Sequence, residues 1–522
     1  MKLQALALLA LAALPLTACD SPVTGDEQDL TSVRARSREL KFEGRVYVSP
    51  TATNDDILRV VHQQTKTAFG PLRTSDIGVN NRELKGVDPA TFVKRNVTVI
   101  DTDLAGDKGK QMVEVKYTYV DDAVVPTELE DRSTLPGAVL RPDYQSETQR
   151  ILKECTANDS EAQEFSDALW YVFEPSVTSC PKAIKAEQSK IDAARTKLAD
   201  SKTQVAKLEA NRLYLPVTFQ LGADKTNDGQ SFPEYDRLYR GGIKQNKLII
   251  SFINGLIDHD GGTDLSQDSG YGEWIDTLDQ IVTERPNFKV IAVEDGVDIM
   301  SYTLSSGKSV QLGGVKDIVA LHNGSGPSGL TSSQKNELEE MVAERVADHW
   351  ITLEMPAKVK IGTTLTRNIK IQILTYFGHA ETTTPFKYAI KNSDVFLYNG
   401  HSLIGFGPLD PKNFTESDFP TSYQVLFIDS CVSYNYYEAD YIPLKKGGTK
   451  NLDLVTNAIE APSFQSGFAL GQFITTLING KQASWLDLLE SAEATGDGMR
   501  VVDGELDNKY NPAVKPIVLT VQ

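Results

Sequence analysis

An α/β architecture, with a largely parallel sheet flanked by helices and preceded by a small α+β domain and a helical connector, is predicted by three patterns in this sequence. Beyond Leu213 short apolar runs alternate with amphipathic segments, the order that builds a parallel layer with helices on its faces. Before about residue 145 the apolar positions alternate two by two, with one helical stretch between them. Between the two lies a charged segment with helical spacing.

Taken in order, Lys2 gives a positive start, Leu3 to Leu16 form an apolar stretch, and Leu16-Thr17-Ala18-Cys19 closes it. This has the form of an export signal and not of a folded element. Residues 20–40 (DSPVTGDEQDLTSVRARSREL) are polar without an apolar period and are expected to form a flexible stem. In the 41–145 domain, Phe42–Val48, Asn96–Val99 and Met112–Tyr119 have strand character, and Asn54-Asp55-Asp56 is placed to cap a helix running to about Phe69. The 146–213 connector has helical spacing from Glu147 to Trp170, and then a charged helix to about Leu213 with Ile184, Ile191, Leu198 and Val205 seven apart. One apolar position per heptad suits a helix lying on one domain better than a coiled coil.

The 214–522 domain offers strands at Leu248–Ile253, Lys289–Val293, Ile318–Leu321, Ile369–Tyr376, Val395–Tyr398, Val425–Ile428 and Leu454–Ile459, with a further one at Ile517–Val521. Helices are expected at Glu273–Thr283, Ser332–Trp350, Phe468–Ile478 and Trp485–Ala492, and a hairpin over Asp298–Gly314 turning at Ser305-Ser306-Gly307.

Composition narrows the function. With 53 basic against 71 acidic residues the net charge is -18, which removes any electrostatic drive toward nucleic acid. No segment after the first offers the roughly 18 consecutive apolar residues of a membrane span. Of the 4 cysteines, Cys155 and Cys180 fall in one segment of a chain with an export signal and are expected to form a disulfide. Cys431 is then left over, either as a buried small apolar residue or as a reactive thiol.

Two successive predicted strands lead straight into chemistry. One ends Tyr398-Asn399-Gly400-His401-Ser402 and the other Ile428-Asp429-Ser430-Cys431. Functional groups of open α/β sheets gather outside the carboxyl ends of strands. Neighbouring strands lie about 5 Å apart, so an imidazole and a thiol on adjacent loops come within reach, the pairing that activates a cysteine nucleophile. His322 and His379 also follow apolar runs and compete as general base, but neither precedes the cysteine strand directly. His62 and His349 fall inside predicted helices.

These two motifs resemble those of the caspase-like cysteine peptidases, namely the metacaspases, gingipains and clostripain-like enzymes, over roughly residues 245–495. The resemblance implies His401 as general acid/base, Cys431 as nucleophile, the backbone N–H groups near Ser402 and Cys431 as oxyanion donors, and Asp429 as a carboxylate lining the S1 pocket with a preference for Arg or Lys. Ser402 stands where such enzymes usually carry glycine, and Val432–Tyr437 lacks the metacaspase His-Ser-Gly and is bulky enough to cover the thiol. A catalytically inactive copy serving as a binding or scaffolding module is therefore a second expectation. The Pro443–Gly448 loop, with Lys445 and Lys446, is either a self-cleavage site or an ordinary exposed turn.

The signal's end resembles the bacterial lipobox, which implies a lipid on Cys19 and a chain anchored to the inner or outer membrane on the extracytoplasmic side of the envelope. An ordinary cleaved signal is the alternative. Asp20 resembles an inner-membrane retention signal. Peptide or protein substrates are the implied partners, and no cofactor is implied. Asp258, Asp260 and Asp264 in one Gly-containing loop offer oxygen ligands of the kind calcium takes, but the spacing is not that of an EF-hand, which favours a solvated acidic loop over a calcium site. No zinc-ligand spacing and no phosphate-binding loop is present.

Overall fold

The computed structural model describes residues 29–157, 159–258, 264–363, 365–462, 464–496 and 498–521. The signal segment, Cys19 and Asp260 lie outside the described residues. The chain is α/β, built on two mixed sheets.

The larger sheet has ten strands, labelled in chain order: β1 (Thr31–Ser32), β2 (Lys247–Gly255), β3 (Lys289–Val293), β4 (Ile351–Ile361), β5 (Leu365–Gly378), β6 (Val395–Asn399), β7 (Gln424–Asp429), β8 (Leu452–Asn457), β9 (Arg500–Asp503) and β10 (Ile517–Val521). Their spatial order is β1-β9-β8-β7-β6-β2-β5-β4-β3, with β10 beside β4. The five central strands β5, β2, β6, β7 and β8 are parallel, and antiparallel strands close both flanks. The central strands are buried on both faces, which is why they read as continuous apolar runs. From β2 the chain goes to β5 on one side and then returns to β6 on the other. That reversal lies at the carboxyl ends of β2 and β6, the position at which sheets of this kind bind ligands.

Five helices cover one face: α1 (Ser269–Glu284), α2 (Val315–His322), α3 (Ser332–Val346), and, later in the chain, Ser466–Leu477 and Trp485–Ala492. Trp274, Ile318, Leu338, Phe473 and Trp485 belong to that core. The other face carries α4 (Thr383–Asn392) and α5 (Ser433–Tyr441), with the smaller sheet packed beyond them. Phe42 and Tyr119 of the small sheet share one apolar cluster with Phe396, Tyr398 and Ile428 of the large one, so the two sheets are welded through a common core.

Four expectations are corrected. Residues 29–40 are not stem: β1 joins the large sheet, and the strand Ala35–Val48 joins the small one, with Thr31 and Ala35 fully buried. Polar composition hid this because the polar groups are bonded inward. Arg38 donates from Nε to the Gly222 carbonyl at 2.7 Å, and Ser37 donates to Asp29 at 2.7 Å. Second, the boundary at residue 213 falls inside the small unit, since the strand Tyr214–Asp224 pairs with Ala35–Val48 and Thr134–Leu140. The connector is thus an excursion of the small unit. Its helix, Cys180–Arg195, ends before Leu198, and Val205 lies on a short strand paired in parallel with Val93–Ile100, which removes the heptad. Third, Ile318–Leu321 is part of α2, not a strand. Val315, Ile318 and Val319 take helical spacing, and a four-residue apolar run carries no period of its own. Fourth, β4 was not foreseen, because Pro356 interrupts an otherwise clean alternation of Ile351, Leu353, Met355, Ala357, Val359 and Ile361.

Most remaining elements lie near their expected bounds, but Glu147–Trp170 is broken into the short helices Thr148–Glu154, Asp159–Glu164 and Leu169–Val172, and the strands Thr134–Leu140 and Arg500–Asp503 carry no clear sequence signal. The helix Asn54–Thr65 is capped one residue earlier than expected, by a reciprocal Thr53/Asp56 box, in which each side chain accepts the other's backbone N–H. Cys155 and Cys180 are disulfide-bonded, with Cα atoms 4.7 Å apart.

Candidate active site

β6 and β7 are direct parallel neighbours, and Asn399 stands opposite Asp429. His401 and Cys431 each follow their paired residue by two positions, so their loops leave the same sheet edge side by side. The loop under His401 is a compact turn. Gly400 takes φ 154°, a Cβ there would collide with the Tyr398 hydroxyl, and that hydroxyl donates to the His401 carbonyl at 3.0 Å. The same Tyr-x-Gly-His turn recurs at the end of β5, where Gly378 takes φ 138° and Tyr376 donates to the His379 carbonyl at 3.2 Å.

His401 is oriented from the loop after β2, the strand beside β6. Its Nε2 lies 3.0 Å from the carbonyl oxygen of Ile257, on the loop after β2. A carbonyl only accepts, so Nε2 carries the proton and, in the neutral ring, Nδ1 is the basic nitrogen. The backbone therefore does for this imidazole what a carboxylate does in a catalytic triad: it fixes the tautomer and the ring. Ile257 gave no sequence signal, because any residue supplies a carbonyl.

Cys431 sits at a strand-to-helix corner. Val432 takes a left-handed conformation (φ 52°, ψ 33°), and α5 starts at Ser433. Leu403 (φ 49°) and Ile404 (φ 47°) are left-handed as well. Three of the nine non-glycine residues with positive φ among those described thus fall just after the two candidate side chains. Such strain concentrates where surrounding structure imposes a functional geometry. The thiol donates to the Ala461 carbonyl at 3.7 Å, and Val432 N–H donates to Ile459 at 2.8 Å. Burial pushes the Cys431 thiol up to about 11, and the nearby Glu460 and Asp429 carboxylates act in the same direction. In this arrangement the sulfur is a protonated donor, not a thiolate.

Two assigned roles change. Asp429 does not line an open S1 pocket: it is fully buried, and Arg500 on β9 donates to both of its oxygens, from Nε at 3.2 Å and from Nη2 at 2.7 Å. A carboxylate closed by an internal guanidinium has nothing left for a substrate cation. Lys445 is buried and donates to Gln424 at 3.1 Å, which removes it as a cleavage point, whereas Lys446 is exposed. Ser402, by contrast, suits its place. Its φ of -78° needs no glycine, and its carbonyl accepts from Tyr437 at 3.1 Å, which anchors the loop on α5. The bulky residues after Cys431 turn inward: Tyr434, Tyr436 and Tyr437 are buried beneath the corner, with Tyr436 near the sulfur.

The rival histidines are engaged elsewhere. His322 ends α2 and pairs with Glu339 at 2.7 Å, and His379 pairs with Asp348 at 2.8 Å, one strand beyond β2. The carboxylates of Asp258 and Asp264 accept from Ser269 and Ser266 around the start of α1, and Asp268 caps that helix. Among the described residues no group of three or more acidic, histidine or cysteine side chains is placed to hold a metal ion. No described helix is long and apolar enough to cross a membrane. Comparison of the chain with protein-family models, with curated proteins and with solved structures gives no match.

Proposed function

We propose that this protein is a cysteine endopeptidase of the bacterial envelope, tethered by a lipid on Cys19 and acting on extracytoplasmic peptides or proteins with a Cys431/His401 dyad in a caspase-like layer. The observation that supports the reading is the register of β6 and β7, which sets the loops bearing His401 and Cys431 side by side, together with the Ile257 carbonyl, which accepts from Nε2 and so makes Nδ1 the basic nitrogen of the neutral ring. In the reaction His401 Nδ1 takes the Cys431 proton and the thiolate adds to the scissile carbonyl. The backbone N–H groups near Ser402 and Cys431 receive the oxyanion, and the imidazolium returns its proton to the leaving amine. Water, deprotonated by the same imidazole, then cleaves the thioester, releasing the acid and restoring the thiol. Asp429, closed by Arg500, sets no preference for Arg or Lys in the substrate.

A second reading, an inactive copy that binds partners, is favoured by one observation, the raised and hydrogen-bonded thiol. Hydrolysis of a fluorogenic peptide library separates the two. The peptidase reading expects turnover that is lost in both Cys431→Ala and His401→Ala while the fold is retained. A folded wild-type protein that cleaves no member of the library and resists an acyloxymethyl ketone at Cys431 supports the binding module instead. Detergent partitioning of wild type against Cys19→Ser tests the tether.

A further inference from the structure

The sulfur of Cys431 is covered by the segment that follows β8, and three consecutive residues of that segment are tied down. The Ile459 carbonyl accepts from Val432 N–H, and the Ala461 carbonyl accepts the thiol. Between them Glu460 reaches in the opposite direction, to the small unit. Its carboxylate accepts the Tyr171 hydroxyl at 2.8 Å and pairs with Arg73.

The two partners of Glu460 are rigidly built. The Arg73 guanidinium lies 4.3 Å over the Tyr171 ring, which stacks on Phe69 at 5.7 Å, and Phe69 stacks in turn on Tyr436 at 6.0 Å. Gly70 sits so close to the Phe173 carbonyl that a Cβ there would collide with it, which locks the segment carrying Arg73 against the one carrying Tyr171. The Arg73 side chain is 9% exposed and that of Glu460 50%, so a fixed, stacked cation grips a carboxylate on a surface loop.

We infer that Arg73 and Tyr171 are positioning residues that latch the candidate site from the small unit: by holding Glu460 they keep the Ala461 carbonyl on the Cys431 thiol, and breaking the pair uncovers the sulfur. The catalytic meaning of the latch rests on the peptidase reading, whereas its effect on the sulfur does not. Because Glu460 is half exposed, salt competes for the pair, and the latch loosens as ionic strength rises.

Alkylation of Cys431 by iodoacetamide, followed from pH 6 to 11 in the full chain, tests this. The ionisable groups facing the sulfur are Glu460, Asp429, Tyr171, Tyr398 and Tyr436, and His401 lies on the neighbouring loop. Glu460→Ala, on the exposed side of the pair, is expected to label tenfold or more faster than wild type at pH 8, with the midpoint of its pH profile shifted down from about 11. Arg73→Met should behave similarly, Tyr171→Phe should give a smaller gain, and Arg73→Lys, which keeps the charge, should stay close to wild type. Added sodium chloride should speed wild type and leave Glu460→Ala unchanged. Equal rates in wild type and a folded Glu460→Ala overturn the latch, whatever the peptide assay shows. Faster labelling without hydrolysis in any variant keeps the latch and removes the peptidase.

Discussion

Arg500 closes on Asp429 with two parallel hydrogen bonds, and the two side chains are 1% and 0% exposed. Paired, the charges satisfy one another. Separated, either is stranded in a medium that solvates ions poorly. Arg500→Met should therefore cost about 3–5 kcal/mol in a urea titration, and Asp429→Asn together with Arg500→Met should cost less than Arg500→Met alone. A substrate-reading Asp429 would show the opposite pattern, with Asp429→Asn changing peptide preference at unchanged stability.

The two Tyr-x-Gly-His turns provide an internal control. At either glycine an added Cβ meets both an unfavourable φ and a neighbouring group, the Tyr398 hydroxyl at Gly400 and Asp348 at Gly378. Alanine at each should cost about 1–3 kcal/mol by thermal melting. On the peptidase reading only Gly400→Ala should also abolish peptide hydrolysis, because only that turn carries the proposed base, His401, on the loop next to that of Cys431. Equal loss of turnover in Gly378→Ala would point to a general loosening of the sheet edge.

The Cys155–Cys180 bridge spans 25 residues of the excursion inserted in the small unit, and both cysteines are fully buried. On the chain-entropy account a loop of this size is worth about 3–4 kcal/mol. Replacing both cysteines by serine should lower the urea midpoint accordingly and expose residues 148–195 to protease first. Unchanged proteolysis there would mean that packing of Ile151 and Ile191 holds the excursion without the bond.

Stability should peak in mild acid. Burial pushes Asp121 and Asp394 up to about 6, Glu493 to about 7 and Asp453 to about 8. The folded chain therefore holds protons that the unfolded chain releases near pH 4, and these four groups lose stability as the pH rises from about 4 to 8. Lys445, lowered by burial to about 7, acts in the opposite sense above that value, since the unfolded chain then binds the extra proton. Below pH 4 Asp56, Asp107 and Asp298, held low by their hydrogen bonds, protonate and withdraw their contribution. A melting temperature that rises steadily from pH 5 to 8 would contradict this balance.

Much of the layer was legible because burial on both faces leaves an apolar run, as at Val395–Tyr398 and Val425–Ile428. The pair of candidate side chains was legible because both follow such runs. What decides their state was not. Ile257 acts through a backbone atom, Arg500 reaches Asp429 from a strand 71 residues away, and Glu460 is held by Arg73 across 387 residues. No local pattern encodes partners that only the fold brings together. The missed stem and boundary share one cause: Arg38 and Ser37 are polar residues in buried strands, satisfied by distant groups that the sequence does not display.

Among the described residues, the first strand pairs with β9, far along the chain. Thr31 lies opposite Val502 and donates to Glu505, 474 positions on. During synthesis Thr31 and Ser32 must therefore wait, unpaired, until β9 (Arg500–Asp503) has been made. So large a loop closure is a late and slow event. Refolding from urea should accordingly show its slowest phase at the β1 edge, and a chain cut short before Arg500 should leave Leu30 to Ser32 available to other chains, inviting aggregation at that edge.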